Sequence, residues 1–297
     1  MVLKRVRNQF PLLLCMTLCL LTGCQSAASN TSSVREMLDT TAAASVQPNE
    51  IVSVEATSES QALIAAAEQG QSSSTTTYTV ENGALYCGGA EVTEEQKTFD
   101  FRDSDMEDYR FLKKYSWVES LLIEDETLTD LDFLRDCTNL KSLTLNCGAS
   151  DFRAIGELSQ LSFLEIKSPY LTDLNFLSQL PLDAFVCSYN DNLADISGLN
   201  GMETLSFLSL SQCGAIADFS ALSSLTGLEQ LALSGTAFDD LTLIESLSSL
   251  SNLSVEGCAV DYELLASASY SLKKLGSDAD AEMQAWLEGL FPDCEFT

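Results

Sequence analysis

Histidine is absent from the 297 residues, and its absence excludes Ser-His-Asp and Cys-His catalysis, histidine-ligated zinc and imidazole pH switches. Positive charge is scarce: 15 Lys and Arg face 44 Asp and Glu, for a formal charge of −29. A chain this acidic repels phosphate backbones and anionic lipid headgroups, which argues against nucleic acid and against electrostatic docking on membranes. Neutral or basic protein surfaces are left as partners. The ten cysteines include no CxxC pair, so a metal site of zinc type is not expected. G-x-S-x-G and P-loop motifs are missing as well, no cofactor is implied, and no enzyme class is indicated. No apolar run reaches the ~20 residues that a membrane-spanning helix needs.

What is present starts with an address. Lys4, Arg5 and Arg7 make a basic start, and Phe10 to Leu21 is an apolar run of secretory length. The run ends in Leu21-Thr22-Gly23-Cys24, which resembles the lipobox of bacterial lipoproteins, where small residues admit the peptidase and the cysteine thiol takes a diacylglyceryl group. The resemblance implies that residues 1–23 are a lipoprotein signal peptide and that Cys24 is the lipidated mature N-terminus. It also implies a location in the bacterial cell envelope, lipid-anchored and extracytoplasmic, with each buried methylene contributing about 0.8 kcal/mol to the anchor. Of the 53 residues from Gln25 to Thr77, 28 are Ser, Thr or Ala and none is Phe, Tyr or Trp. Such a segment cannot bury enough to fold, so residues 24–77 read as a disordered tether of about 40 Å root-mean-square reach.

The remainder, residues 78–297, repeats one pattern of apolar-x-x-apolar-x-apolar. Its middle apolar residue falls at Phe99, Leu121, Leu143, Leu164, Phe185, Leu208, Leu231, Leu253 and Leu275, every 21 to 23 residues. Chance alternation does not hold register over eight intervals, so the segment is a solenoid. The stretches Leu205-Leu208-Leu210-Cys213, Leu228-Leu231-Leu233-Thr236 and Leu250-Leu253-Val255-Cys258 resemble the leucine-rich repeat family. The 22-residue period and Leu128-Thr-Asp-Leu-Asp-Phe-Leu134 are most similar to its bacterial internalin-type subclass. The expected fold class is therefore an α/β solenoid: a parallel concave β-sheet, short helical or irregular convex segments, and terminal caps. Residues 78–98 form the first cap, 99–277 the repeats and 278–297 the second cap, with a helix over Ala281–Leu290 placing Met283, Trp286, Leu287 and Leu290 in the lid. A single repeat could not bury its leucine face alone.

Asp130, Asp173, Asp195, Asp218 and Asp240 recur near the start of each convex segment. A row of carboxylates suggests calcium, but Asp just before Leu-x-x-Leu or Phe-x-x-Leu is the usual cap of a helical turn, and that reading is preferred. The cluster Asp103-x-Asp105-x-Glu107 imitates the start of an EF-hand loop, yet Asp108 stands where glycine is required and Lys114 where the bidentate Glu should be. Cys213 and Cys258 occupy the repeat position that takes Asn, Cys or Thr, shared with Asn190 and Thr236, and read as structural thiols. Cys87 and Cys294, at opposite ends, should not pair.

Function is expected on the concave face. Phe163, Val186 and Phe207 come from three successive strands, with Glu165 beside them and Tyr189 just past a strand end. Exposed aromatics on a rigid surface have the composition of a protein-binding hot spot, so these five residues are the candidate contact site. The leading reading is a surface-anchored, monomeric protein-interaction module, and the internalin resemblance points toward adhesion. The alternative is a carbohydrate binder with Phe163, Tyr189 and Phe207 offering ring faces to sugars, and an enzyme of unrecognised type ranks third.

Overall fold

The computed structural model describes residues 77–297 apart from Asp103, Asp105 and Glu107. The signal peptide, the Cys24 lipidation site, nearly all of the tether and the acidic positions of the EF-hand-like cluster lie outside the described residues.

Alternating apolar residues make short strands, and the strands stack one per repeat. They are β4 (Thr98–Asp100), β5 (Ser120–Asp125), β6 (Ser142–Cys147), β7 (Phe163–Lys167), β8 (Ala184–Val186), β9 (Phe207–Ser209), β10 (Gln230–Ala232), β11 (Asn252–Ser254), β12 (Lys274–Gly276) and β13 (Glu295–Phe296). They form one ten-stranded parallel sheet in strict sequence order. The register joins Phe99 to Leu121, Leu143, Leu164, Phe185, Leu208, Leu231, Leu253 and Leu275 without a slip, and ends on Phe296. All nine residues of the periodic pattern therefore stand in one file. Register is this firm because a slip of one residue would turn every leucine outward.

Among the described residues the chain returns over the convex side in eight short 3-10 segments, such as Asp132–Asp136, Asn175–Leu177 and Ser220–Ser224, rather than in α-helices. Each tucks a leucine or isoleucine into the core, Leu134, Ile155, Leu177 and Leu222 among them, all fully buried. An aspartate opens each turn. Asp130 accepts from Asp132 N–H at 2.9 Å, Asp195 from Ser197 at 2.8 Å, Asp218 from Ser220 at 2.9 Å and Asp240 from Thr242 at 3.0 Å. These carboxylates act as turn caps, and hydrogen bonds from the Ser197 side chain and N–H hold the Asp195 carboxyl, and from the Ser220 N–H and side chain the Asp218 carboxyl, below the ordinary range.

Between sheet and convex turns runs a polar ladder. Asn190, 1% exposed, accepts from Ser168 N–H at 2.8 Å and donates to Ile166 O at 2.9 Å and Cys187 O at 3.1 Å. The next repeat replaces it with Cys213, whose thiol donates to Cys187 O at 2.8 Å. Thr236 donates to Leu233 O at 2.7 Å and Cys258 to the same carbonyl at 3.1 Å. The ladder cysteines thus do the structural work the repeat pattern assigns them, and the seven cysteines of the described region are all thiols. Burial pushes Cys137 up to about 12 and Cys147 up to about 11.

Both ends are covered. An antiparallel three-stranded sheet, β1 (Tyr78–Glu81), β2 (Ala84–Cys87) and β3 (Ala90–Glu91), caps the first repeat with Leu85 and Val92 buried. Leu85 N–H donates to the Tyr115 hydroxyl at 2.5 Å, and Tyr78 packs edge-on against Phe101 at 4.8 Å. At the far end lies α1 (Ala281–Leu290), capped by Asp280 through Glu282 and Met283 N–H. One expectation fails here: Trp286 is 40% exposed, and Leu287 is the helix residue that is fully buried. The helix is rotated so that one line of residues meets the last repeat, and the indole lies outside that line.

Candidate functional site

The residues between the buried strand positions form the open side of the sheet. Their first file runs Ser120, Ser142, Phe163, Ala184, Phe207, Gln230, and their second Leu122, Thr144, Glu165, Val186, Ser209, Ala232, as the register dictates. Phe163, Val186 and Phe207 come together as expected, and with Ala184 they form an apolar cluster separate from the main core. Their exposure does not match expectation. Phe163 is 1% exposed, Val186 5% and Phe207 6%, so these side chains pack on each other instead of projecting as open rings. The reason is geometric: strands ~4.8 Å apart crowd the side chains on the inside of a curve, and neighbours in one file cover each other. Glu165 is buried as well and accepts from the Thr144 hydroxyl at 3.4 Å. Of the three rings assigned to sugar stacking, Phe163 and Phe207 therefore have no accessible face, and Tyr189 is half-buried.

Tyr189 stands at the rim with φ 61°, and Gln212, at the same place in the next repeat, has φ 63°. The two following repeats place Gly235 (φ 70°) and Gly257 (φ 72°) there. This left-handed corner favours glycine, and an L side chain in it costs roughly 1–2 kcal/mol. Lys167 Nζ lies 5.8 Å from the centre of the Tyr189 ring. Tyr170, in the adjoining loop, is 58% exposed. Below the rim, Ser188 and Ser209 share a hydroxyl hydrogen bond of 2.9 Å, and Ser234 donates to the Glu256 carboxylate. Ser211 lies between Ser188 and Ser234; it is 1% exposed and its hydroxyl has no hydrogen-bond partner.

Sequence reasoning passed over Gln212, and placed Ser211 among the small polar residues of the open face without its missing partner. Gln212 was legible in principle: four residues past the buried strand leucine, two repeats carry Gly while Tyr and Gln occupy the same place in the two before. The missing partner of Ser211 carried no signal, because it depends on three adjacent strands.

Charge is divided along the stack. In the first half, arginines neutralise two of the turn aspartates: Arg110 Nη2 lies 2.7 Å from Asp108 and Arg153 is paired with Asp151 at 2.5 Å. These forks hold both carboxyls down at about 2. From Pro169 to Leu272, by contrast, there are thirteen Asp and Glu and not one Lys or Arg. Among the described residues no group of His, Cys, Asp and Glu is arranged to hold a metal ion, and no helix is long and apolar enough to cross a membrane.

One strand per 21 to 23 residues, a continuous parallel sheet, a buried leucine file and an Asn/Cys/Thr ladder together define a leucine-rich repeat solenoid. Solved structures share that fold. An internalin (InlF) of Listeria monocytogenes is 18% identical, with a TM-score of 0.52 over 67% of this chain and 65% of that one. A leucine-rich repeat protein of Leptospira interrogans is 18% identical, with a TM-score of 0.57 over 69% and 62%. Internalin C2 of L. monocytogenes is 21% identical, with a TM-score of 0.51 over 62% and 86%. The chain thus spans just under two thirds of the length of the first two. No protein-family model matches the chain, and no curated protein matches it.

Proposed function

We propose that this protein is a binding module that recognises a protein partner through the open face of its sheet, held outside a bacterial cytoplasmic membrane by lipid on Cys24. The observation that carries the reading is the unbroken register of ten parallel strands, which holds a broad face rigid before any partner arrives and so lowers the ordering cost of binding. The contact surface is the open face around Tyr189, held in shape by the packed floor of Phe163, Glu165, Val186 and Phe207. Likeness to internalin structures supports adhesion as the setting. The protein acts as a monomer, and its tether lifts the domain clear of the membrane.

A photo-crosslinking amino acid placed at Ser188 or Gln230, on the open face, should capture one partner that the same probe at Ser223, on the convex side, does not. Equal capture from both faces would refute the reading. Metabolic labelling with an alkyne fatty acid should mark the full chain and not the Cys24→Ala variant. Labelling that survives the substitution would remove the anchor.

A further inference from the structure

Two residues past the buried leucine file, each repeat points a second apolar side chain into the core. Ile123, Leu145, Ile166, Leu210, Leu233 and Val255 hold that place, and in the repeat between Ile166 and Leu210 it is held by Cys187. A thiol fills an aliphatic site less completely, so the exchange calls for a reason. Facing it from the next repeat is Cys213, a thiol of the polar ladder. The Cys213 sulfur lies 2.8 Å from the Cys187 carbonyl oxygen, and Asn190 Nδ2 donates both to that oxygen, at 3.1 Å, and to the Cys187 sulfur, at 3.3 Å. Both cysteines are fully buried, and their thiols are hydrogen-bonded to each other.

That contact divides their acidity. The hydrogen bond from Cys187 draws the Cys213 thiol below its ordinary range, whereas burial pushes Cys187 above it. One sulfur is the readier thiolate and the other the readier thiol, as attack and resolution in thiol–disulfide exchange require. The backbone brings them together: Cys187 N–H donates to Ser209 O at 2.8 Å and Cys213 N–H to Leu210 O at 3.1 Å, so the turn that carries Cys213 folds back over the strand beside Cys187. Adjacent repeats stand ~4.8 Å apart, within the ~7 Å Cα limit of a disulfide, and alternate repeats stand beyond it. The other ladder cysteine supplies the contrast. Cys258 makes the same bond to the preceding repeat, its sulfur 3.1 Å from Leu233 O, but the side chain at that place is leucine and offers no sulfur.

We propose that Cys187 and Cys213 are an oxidation site, two thiols that close into a disulfide joining adjacent repeats through the core. The oxidant is a small or protein disulfide, for which oxidised glutathione is the probe. The Cys213 thiolate attacks the glutathione disulfide, forming a mixed disulfide and expelling one glutathione thiolate. The Cys187 thiolate then attacks the Cys213 sulfur and expels the second. The new sulfur–sulfur bond takes two electrons from the cysteines to the oxidant, and the two cysteine protons end on two molecules of reduced glutathione. Because both sulfurs are shielded in the folded stack, exchange takes place as the repeats form. The bridge ties positions 26 residues apart, which restricts the unfolded chain. It is independent of what the open face binds.

The test refolds the reduced full chain from urea in a buffer of reduced and oxidised glutathione, alkylates the remaining thiols and cuts after glutamate without reduction. Glu165, Glu203 and Glu229 bound the products, so Cys187 lies on peptide 166–203 and Cys213 on peptide 204–229. Mass spectrometry should find these two peptides joined and 2 Da lighter than their sum, with Cys258 alkylated on peptide 257–263. Reductant should lower the thermal midpoint of the refolded chain by roughly 5 °C and leave that of Cys187→Val unmoved. Leu233→Cys rebuilds the arrangement one repeat on, opposite Cys258, and should add a second joined pair, 230–245 with 257–263. Alkylation of both Cys187 and Cys213 in the refolded protein, or joining of either to another cysteine, would overturn the site and leave the pair as small core side chains. A joined pair with a midpoint indifferent to reductant would overturn its part in holding the repeats together.

Discussion

Replacing Asn190 by alanine is the sharpest probe of what holds the stack together. The side chain is 1% exposed, and its amide bridges two repeats: Oδ1 accepts from Ser168 N–H, and Nδ2 donates to Ile166 O and Cys187 O. Asn190→Ala leaves the Ser168 N–H without its acceptor and takes a donor from two carbonyls, while opening a small void. An orphaned buried group costs about 1–3 kcal/mol, so three weakened groups place the loss at about 3–5 kcal/mol. Against a domain stability of about 5–15 kcal/mol, that is a large fraction. Cys213→Ala in the next repeat is the internal control. Its thiol makes weaker hydrogen bonds, and its loss should cost about 1 kcal/mol, mostly through volume. Equilibrium urea unfolding followed by circular dichroism measures both, with an unchanged m-value as the check that the unfolded state is the same. Amide exchange should accelerate first around residues 166–190, because each repeat is stabilised by its neighbours. A loss below ~1 kcal/mol for Asn190→Ala, or one equal to that of Cys213→Ala, would refute the ladder argument.

Three further outcomes follow from the geometry. Phe163→Ala and Phe207→Ala remove side chains that are 1% and 6% exposed, so each should cost roughly 3 kcal/mol of stability; a pair of variants with wild-type melting would show that the open-face cluster is not packed. Gly198→Ala places a methyl group against the backbone of Leu174 in the preceding repeat, a clash that only main-chain movement relieves, and should cost at least ~2 kcal/mol by chemical denaturation; a neutral result would mean the repeats are spaced more loosely. Asp151, held at about 2 by the Arg153 fork, should return toward 3.8 in Arg153→Gln when its carboxyl is titrated by NMR. A folded value below the unfolded one gives stability that is present above the ordinary carboxylate range and lost as pH falls through about 2, and exposure of the pair keeps that contribution small. A midpoint unmoved by the substitution would remove the fork as its cause.

The solenoid was legible because its signal is one-dimensional. Leu121, Leu143 and Leu164 share a spacing, the spacing sets which strands become neighbours, and Leu231 meets Leu208 and Leu253 where the pattern says it must. Asp195 and Asp218 were legible as caps for the same reason, since a cap bonds to a backbone only two residues away. The 3-10 geometry of the convex turns was less so: Leu-x-x-Leu suits a helical turn of either pitch, and the packing of successive turns against each other selects the tighter one. Trp286 was misplaced because helix periodicity identifies an apolar side and leaves open where on that side the contact line falls.

The binding surface divides in the same way. Periodicity alone determined that Phe163, Val186 and Phe207 would be neighbours facing away from the leucine file, since alternation along a strand and a constant repeat length require nothing more. Whether those neighbours would stand open or lie covered was decided by the folded stack, because the exposure of one side chain depends on residues from the strands on both of its sides and on how tightly the sheet curves. The same holds for Tyr189, Ser211 and Gln212. Their strain and the unpaired hydroxyl are properties of a corner shared by adjacent repeats, and no single repeat contains them.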